Sequence, residues 1–390
     1  MNNKLQSLLL IAWLISLKLA CGAYDSASNL KKTIEVKKSN RQNLLKTMDI
    51  WNPVDTENLD LFKGPTSHYE FGETIYCTFK EPEEGDFGSG LNQKFYCIDK
   101  TTNEELKVKY DIRNAEVYGE IAFSRLMYAL GFNHDNYYSV RVECDNCPKD
   151  PWDYIQGYKP PSRRGENKPD PEGERGYYTF LPALVEVKTD GNKIENVEDQ
   201  GVSWEEFNDY EGLTLEQKTI RDAFVLLMAF THHADSKPDQ QRLSCEKSAT
   251  TKTDGKYICE KAKFLVHDGG WSFGAGVEPS INSMRAKMNR KFWTHYPVFK
   301  NKSTCKIGVR KLLNSEFENK EISENGRKFL ADLLSRLSRK QIKDIFRASR
   351  VDLRDQVLYK ESPEESLNKW ADAFEKRRKE ITDITCPKAL

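Results

Sequence analysis

The chain has no net charge to offer a partner: sixty Lys and Arg side chains are balanced by sixty Asp and Glu over 390 residues. Neither nucleic acid nor an anionic membrane surface would meet an attracting field, so neither is expected as a partner. Long apolar runs are equally scarce. Apart from a mostly apolar stretch from Leu8 to Leu17, nothing approaches the ~20 consecutive apolar residues that cross a bilayer. No internal repeat is present, so no repeat architecture is expected.

What is present has a globular balance. Hydrophobic residues make up 38%, charged residues 31% and aromatics 11%, which supports a packed interior under a well-solvated surface. A chain of this length exceeds the size at which one hydrophobic core stops growing, and two packed lobes are the natural expectation. Lys4, the Leu8–Leu17 run and the small residues Ala20, Gly22 and Ala23 around Cys21 read as an export signal over residues 1–23. The mature protein is then expected to be secreted, periplasmic or surface-anchored. Cys21 is a candidate for lipid anchoring, although Lys18 stands where that signal wants an apolar residue. Eight cysteines follow: Cys77, Cys97, Cys144, Cys147, Cys245, Cys259, Cys305 and Cys386. An even count in an exported chain points to disulfides, with Cys245 and Cys259 stapling the base of a hairpin. Zinc at Cys144 and Cys147 is the lesser reading, because no second Cys or His pair at matching spacing completes the ligand set.

Residues 24–66 are polar and read as a linker or outer wrapping. Residues 67–190 open with Tyr-, Phe-, Ile- and Val-rich stretches at Glu73–Phe79, Lys94–Ile98 and Glu105–Tyr110, which predict a strand meander. Gly85, Gly88 and Gly90 lie between its first two strands, where flexible backbone could cover a phosphate or merely turn. Ala115–Leu130 has helical spacing stopped by Gly131. Val140–Val142 reads as extended, Lys159–Gly176 as a Pro- and Gly-rich surface loop, and Phe180–Lys188 as an extended connection between lobes. Residues 191–390 are expected to be mainly helical, with helices at Leu215–Thr231, Arg327–Arg347 and Glu364–Ile381.

Two short segments carry chemistry. The apolar helix ending at Thr231 runs into His233-Ala-Asp235-Ser-Lys237-Pro-Asp239-Gln240, where the proline forbids further helix and presents Asp235 and Lys237 on a loop. An aspartate there can orient a hydroxyl proton, a lysine can balance charge gathering on a phosphoryl group, and Gln240 can reach a metal ion. Further on, a short apolar strand ends at Asp268-Gly269-Gly270, a hard oxygen donor followed by a turn that leaves room beside the backbone. Taken singly, Asp235 and Asp239 read as turn-forming acids, His232 and His233 as helix-end residues, and Lys107 and Lys109 as the solvated face of a strand. Trp271 and Phe273 are expected to pack rather than to stack on a base.

Together and in order, these segments resemble the protein-kinase catalytic loop H-R-D-L-K-P-E-N and its D-F-G. The run Gly119-Glu120-Ile-Ala-Phe-Ser-Arg-Leu126 is similar to the helix of atypical kinases, notably the HipA-like and phosphoinositide-kinase-like groups, and Gly269 in place of Phe resembles secretory-pathway kinases. The resemblance spans roughly Tyr69 to Gly274. It implies an α+β, bilobal protein-kinase-like fold, with a small strand-rich N-lobe bearing one helix and a mainly helical C-lobe. It also implies ATP with Mg²⁺ or Mn²⁺ as cofactors. Lys109, with Lys107 as its rival, would hold the phosphates, paired to Glu120 with Glu116 as fallback; Asp235 and Lys237 would be catalytic; Asp268 and Gln240 would hold metal. Gln240 departs from the family's Asn, and the glycines lack the G-x-G-x-x-G spacing. An exported kinase acting on a protein, sugar, lipid or small molecule is the leading expectation. A pseudokinase or nucleotide-binding scaffold is its rival, and a disulfide-stapled envelope protein without catalysis is the third reading.

Overall fold

The computed structural model describes residues 34–35, 38–65, 68–82, 92–157, 174–195, 201–235, 237–246, 250–253, 256–274, 287–309 and 320–387. The export signal with Cys21, the glycines at Gly85, Gly88 and Gly90, and most of the loop after Lys159 lie outside these residues. The fold is mixed α+β. Helix α1 (Lys38–Thr47) precedes strands β1 (Thr74–Phe79), β2 (Lys94–Asp99) and β3 (Glu105–Tyr110), then helix α2 (Glu116–Leu130). Strands β4 (Asn136–Pro148), β5 (Arg175–Val187) and β6 (Asn192–Glu195) lead to helix α3 (Leu215–Thr231). Strands β7 (Gln241–Cys245) and β8 (Ala262–Val266) follow, then helices α4 (Glu324–Ser335), α5 (Arg339–Ala348), α6 (Val351–Tyr359) and α7 (Pro363–Thr382).

The three strands of the expected meander are part of something larger. β1, β2, β3, β5 and β4 close in that order into a five-stranded barrel, antiparallel at every seam except the parallel pairing of β4 with β1. Closure removes the open edges that an exposed sheet must otherwise protect. Phe180–Lys188 is therefore the latter half of a barrel strand and not only a connection. β4 lacks a strand's alternation because it is buried on both faces over much of its length and is bulged between Cys144 and Cys147, while β5 begins in the stretch that reads as a Pro- and Gly-rich loop. Inside the barrel, alternate residues such as Ile75, Phe95, Cys97, Val108, Val142 and Val185 form one apolar cluster. The period of two sends their neighbours Lys94, Lys107 and Lys109 to the outer face.

Helix α2 packs on that outer face, touching β3, β4 and β5 on one side and α5 on the other. It is buried along nearly its whole length, which a helix apolar around most of its circumference requires. Gly131 ends it with φ of 80°, and a Cβ there would fall 2.0 Å from the Asn52 carbonyl oxygen, so only glycine fits. A second, larger cluster unites α2, α3 and the C-terminal helices with Leu44, Leu45, Met48, Ile50 and Leu61 from the N-terminal segment. The expected Arg327–Arg347 helix is two helices, because Ser338 caps α5 and forms a capping box with Gln341.

Four disulfides join Cys77 to Cys97, Cys144 to Cys147, Cys245 to Cys259, and Cys305 to Cys386. They fit an extracellular protein and consume the cysteines that zinc would have needed. Among the described residues no helix is long and apolar enough to cross a membrane. The Cys305–Cys386 bridge closes the longest loop, with a sequence separation of 81. By chain entropy it should be worth about 4.5 kcal/mol, against about 3 kcal/mol for the Cys245–Cys259 loop. Urea unfolding of Cys305→Ser/Cys386→Ser and Cys245→Ser/Cys259→Ser should therefore show the larger loss in the first pair; the reverse order would refute the loop-length account.

Candidate active site

Helix α3 is buried from Arg221 onward, and its C-terminal end is fastened from outside. Arg377 of α7, fully buried, donates from Nε to the Phe230 carbonyl at 2.8 Å, from Nη2 to Ala229 at 2.7 Å and from Nη1 to Trp293 at 2.6 Å. A guanidinium on the last carbonyls satisfies groups that the helix leaves unpaired and complements its dipole. His232 then turns the chain with φ of 52°, and its ring stacks on Tyr296.

The two chemical segments, far apart in sequence, are stitched together by backbone. Phe273 N–H donates to the Thr231 carbonyl at 2.6 Å, Ala234 N–H to Trp271 at 3.0 Å, and His267 N–H to Gln240 at 3.1 Å. Pro238–Gln240 form a single 3₁₀ turn, which seats Gln240 next to the strand end that carries Asp268. Asp235 lies 3.4 Å from the Lys237 ammonium. Burial and the nearby Asp268 raise its carboxyl to about 6, with Lys237 holding it back from going higher. His233 is buried against Phe123 with Nδ1 at 3.2 Å from Ser272 Oγ, and burial lowers it to about 4, so it is neutral and structural.

Asp268 Oδ1 accepts from the Gly270 amide at 3.0 Å. The glycines after it are dictated by helix α2: a Cβ on Gly269 would fall 2.4 Å from Phe123 Cδ1, and one on Gly270 would fall 2.7 Å from Glu116 Cγ. Phe123 fills the space beside the turn, which explains why no side chain stands at residue 269.

Lys109 sits at the centre. Its ammonium contacts Glu116 at 2.9 Å and pairs closely with Glu120, both buried. Lys107 on the same face is engaged elsewhere, with Glu186 of β5 at 2.7 Å. Glu116 is a hub: it also takes Lys287 at 2.6 Å and Asn92 Nδ2 at 2.5 Å. Lys287 in turn lies 3.9 Å from the centroid of Trp271, which packs rather than standing free. Around Lys109 and Lys287, three carboxylates gather. Burial works against ionisation of all three, but Lys109 and Lys287 hold Glu116 down at about 2. Burial likewise opposes the charge on Asp268, yet Lys109 and the Gly270 amide keep it well below the usual carboxylate range. Glu120 bears the remainder: burial, aided by Asp268 and Glu116, outweighs Lys109 and lifts it to about 8. A carboxylate excess of this kind suits a hard cation at Asp268, but the room expected beside Gly269 and Gly270 is taken up by Phe123 and Glu116. Among the described residues no group of three or more His, Cys, Asp and Glu is arranged to hold a metal by itself.

The structure thus brings together Asp235, Lys237, Gln240 and Asp268 along one pair of loops, and Lys109 with Glu120 beside Asp268, while Lys107 is one residue pair removed. Sequence reasoning underrated Glu116, although its spacing of four from Glu120 places both on one helix face. It missed Asn92, Lys94 and Lys287. Only strand register sets Lys94 opposite Lys109, and no motif announces Lys287.

No protein-family model matches this chain, and no curated protein matches it. Among solved structures, the crystal structure of a proinflammatory kinase from Helicobacter pylori, CtkA, is similar with a TM-score of 0.41 and 10% sequence identity, covering 80% of this chain and 96% of that one.

The close approach of Gly269 to Phe123 makes Gly269→Ala an overpacking change, expected to cost about 1–3 kcal/mol. Phe123→Ala should relieve it, so that the double variant loses less than the sum of the two singles. Additive losses in denaturant unfolding would show that the packing of α2 on this turn is not what demands glycine.

Proposed function

We propose that this chain is an exported, ATP-dependent phosphotransferase of atypical, bilobal kinase fold, its N-lobe built from the barrel and α2 and its C-lobe from α3 to α7. The observation that carries this reading is the backbone stitching of the Thr231–Gln240 loop to the His267–Phe273 turn, with the Lys109–Glu120 pair beside them. The groups that would carry four chemical roles are scattered over the sequence, and their nearness and chain order support phosphoryl transfer on this fold.

In this reading Asp268 and Gln240 hold Mg²⁺ or Mn²⁺, which when bound neutralises charge on the ATP phosphates. Lys109, steadied by Glu120 and Glu116, holds a phosphate oxygen. Asp235 accepts the hydrogen bond of the acceptor hydroxyl and orients it, and Lys237 stabilises charge on the transferred group while keeping Asp235 ionised. Such catalysis is positioning and electrostatics, with little covalent work for the protein. The four disulfides support an exported destination. A second reading, a nucleotide-binding scaffold without transfer, draws on Gln240: its amide stands one methylene further out than the family's Asn.

Calorimetric unfolding with ATP and Mn²⁺ separates a working cleft from none. The wild type should be stabilised by about 2.7 kcal/mol when ligand exceeds its dissociation constant a hundredfold. Asp268→Ala should abolish that gain, and no gain in the wild type would sink the nucleotide reading. Transfer itself is checked with labelled ATP and candidate acceptors, where Asp235→Ala should lower the rate by roughly 10²- to 10⁴-fold. Retained nucleotide binding with no transfer to any acceptor would favour the scaffold.

The pH profile offers a sharper check. Asp235 can orient a hydroxyl only when ionised, so the rate should fall as pH drops through about 6. Lys237 lowers the pKa of that carboxyl, so Lys237→Met should move the acid limb to higher pH and Lys237→Arg should restore it. An unmoved limb would show that Asp235 does not set it.

A further inference from the structure

Part of the barrel's outer surface lies open to water. Ile75 and Cys77 of β1, Val142 and Cys144 of β4, and Tyr178 and Phe180 of β5 belong to the apolar cluster inside, so the period of two sends Tyr76, Arg141, Glu143, Tyr177, Thr179 and Leu181 outward. Register then sets Tyr76, Glu143 and Thr179 in one row across the three strands. Tyr76, Tyr177 and Leu181 are 53%, 56% and 51% exposed, so large apolar side chains stand in water on one face. Between them the polar groups are fastened. Arg141 Nε donates to Glu143 at 2.6 Å, and Thr179 Oγ1 donates to the other carboxylate oxygen at 2.7 Å. The Tyr177 hydroxyl neighbours the same carboxylate. Charges on this face are matched as well: Arg141 by Glu143, and Asp145, the next outward residue of β4, by Lys100 at 2.8 Å.

We propose that this face binds a neutral sugar chain, whose rings rest on Tyr76 and Tyr177 and whose hydroxyls bond the polar row between them. A tyrosine offers a rigid apolar face with a polar tip and loses little freedom on binding, which complements a sugar's C–H face edged by hydroxyls. Arg141 and Thr179 hold Glu143 in place before any ligand arrives, so this acceptor needs no reordering. Charge balance gives an ionic ligand no net attraction, and a neutral one loses nothing by it. Barrel closure removes the strand edge on which an extended peptide would pair. Arg141, Glu143 and Thr179 also divide the apolar residues, whereas a protein partner calls for an apolar centre with a polar rim. None of these residues belongs to the Lys109 cluster or to the Asp235 and Asp268 loops, so the face and the cleft act separately.

Binding to an array of hexasaccharides, followed by isothermal titration calorimetry, decides this. The array carries neutral hexasaccharides of glucose, mannose, galactose and N-acetylglucosamine beside sulfated and uronic-acid ones. The wild type should bind at least one neutral hexasaccharide. Tyr76→Ala and Tyr177→Ala should each weaken it by roughly tenfold, the value of one aromatic contact, whereas Tyr76→Phe and Tyr177→Trp, which keep a ring, should stay within about threefold. Leu215→Ala, at an exposed leucine where α3 begins, should leave binding within about twofold. No binding of any neutral hexasaccharide by the wild type would overturn the assignment, as would binding that both alanine variants retain, or preference for the charged sugars. Sedimentation velocity covers the other occupant: a dimer that Tyr76→Ala and Tyr177→Ala dissolve would give the face to a second copy and overturn the sugar reading. Should either alanine variant fail to fold, Tyr76→Gln or Tyr177→Gln tests the same loss of a ring.

Discussion

The ammonium of Lys109, buried with Glu116 and Glu120 and within the field of Asp268, is the constraint on which the surrounding structure depends. A charge removed from water is tolerated only when partners surround it, and losing one partner of such a set costs about 3–5 kcal/mol. Meeting that demand draws four parts of the chain to one point: β3 supplies the lysine, α2 the two glutamates, the turn after β8 the aspartate, and the segment preceding Asn289 a second cation, Lys287. Barrel and helices are in effect clamped around one electrostatic problem. The clamp leaves a surplus of carboxylate, which Glu120 absorbs by holding a proton more readily than an ordinary glutamate.

Around that centre the backbone is positioned by groups that do no chemistry. Arg377 reaches from the last helix to the final carbonyls of α3 and so fixes where the Asp235 loop begins. Backbone hydrogen bonds then lock the loop to the Asp268 turn, and Phe123 presses α2 onto Gly269 so closely that no side chain fits between them. Rigid support of this sort is what a site relying on positioning requires, because its rate depends on sub-ångström placement.

Much of this was legible in the residues. Periodicity located α2, α3 and the first three strands nearly to the residue, since their buried faces repeat at helical or strand spacing. The Asp235 and Asp268 segments stood out because proline, glycine and acid side chains interrupt apolar runs abruptly. Barrel closure was not legible: β4 is buried on both faces over much of its length and bulged, which erases alternation, β5 begins in a Pro- and Gly-rich stretch, and their pairing joins residues distant in the chain. The break between α4 and α5 was hidden in a continuous apolar pattern and is set by the Ser338 cap.

By itself the sequence determined which groups are available: the lysines, acids and glycines of the site, their order, an even set of cysteines and the local elements that carry them. Local spacing suffices for these because helix and strand periods are properties of neighbouring residues. Which groups meet was decided only in three dimensions. Register put Lys94 opposite Lys109, packing sent Lys107 to Glu186 and Lys109 to the two glutamates, and a distant segment brought Lys287 to Glu116. Those choices depend on burial and charge compensation among residues up to 171 positions apart, and no local pattern encodes them.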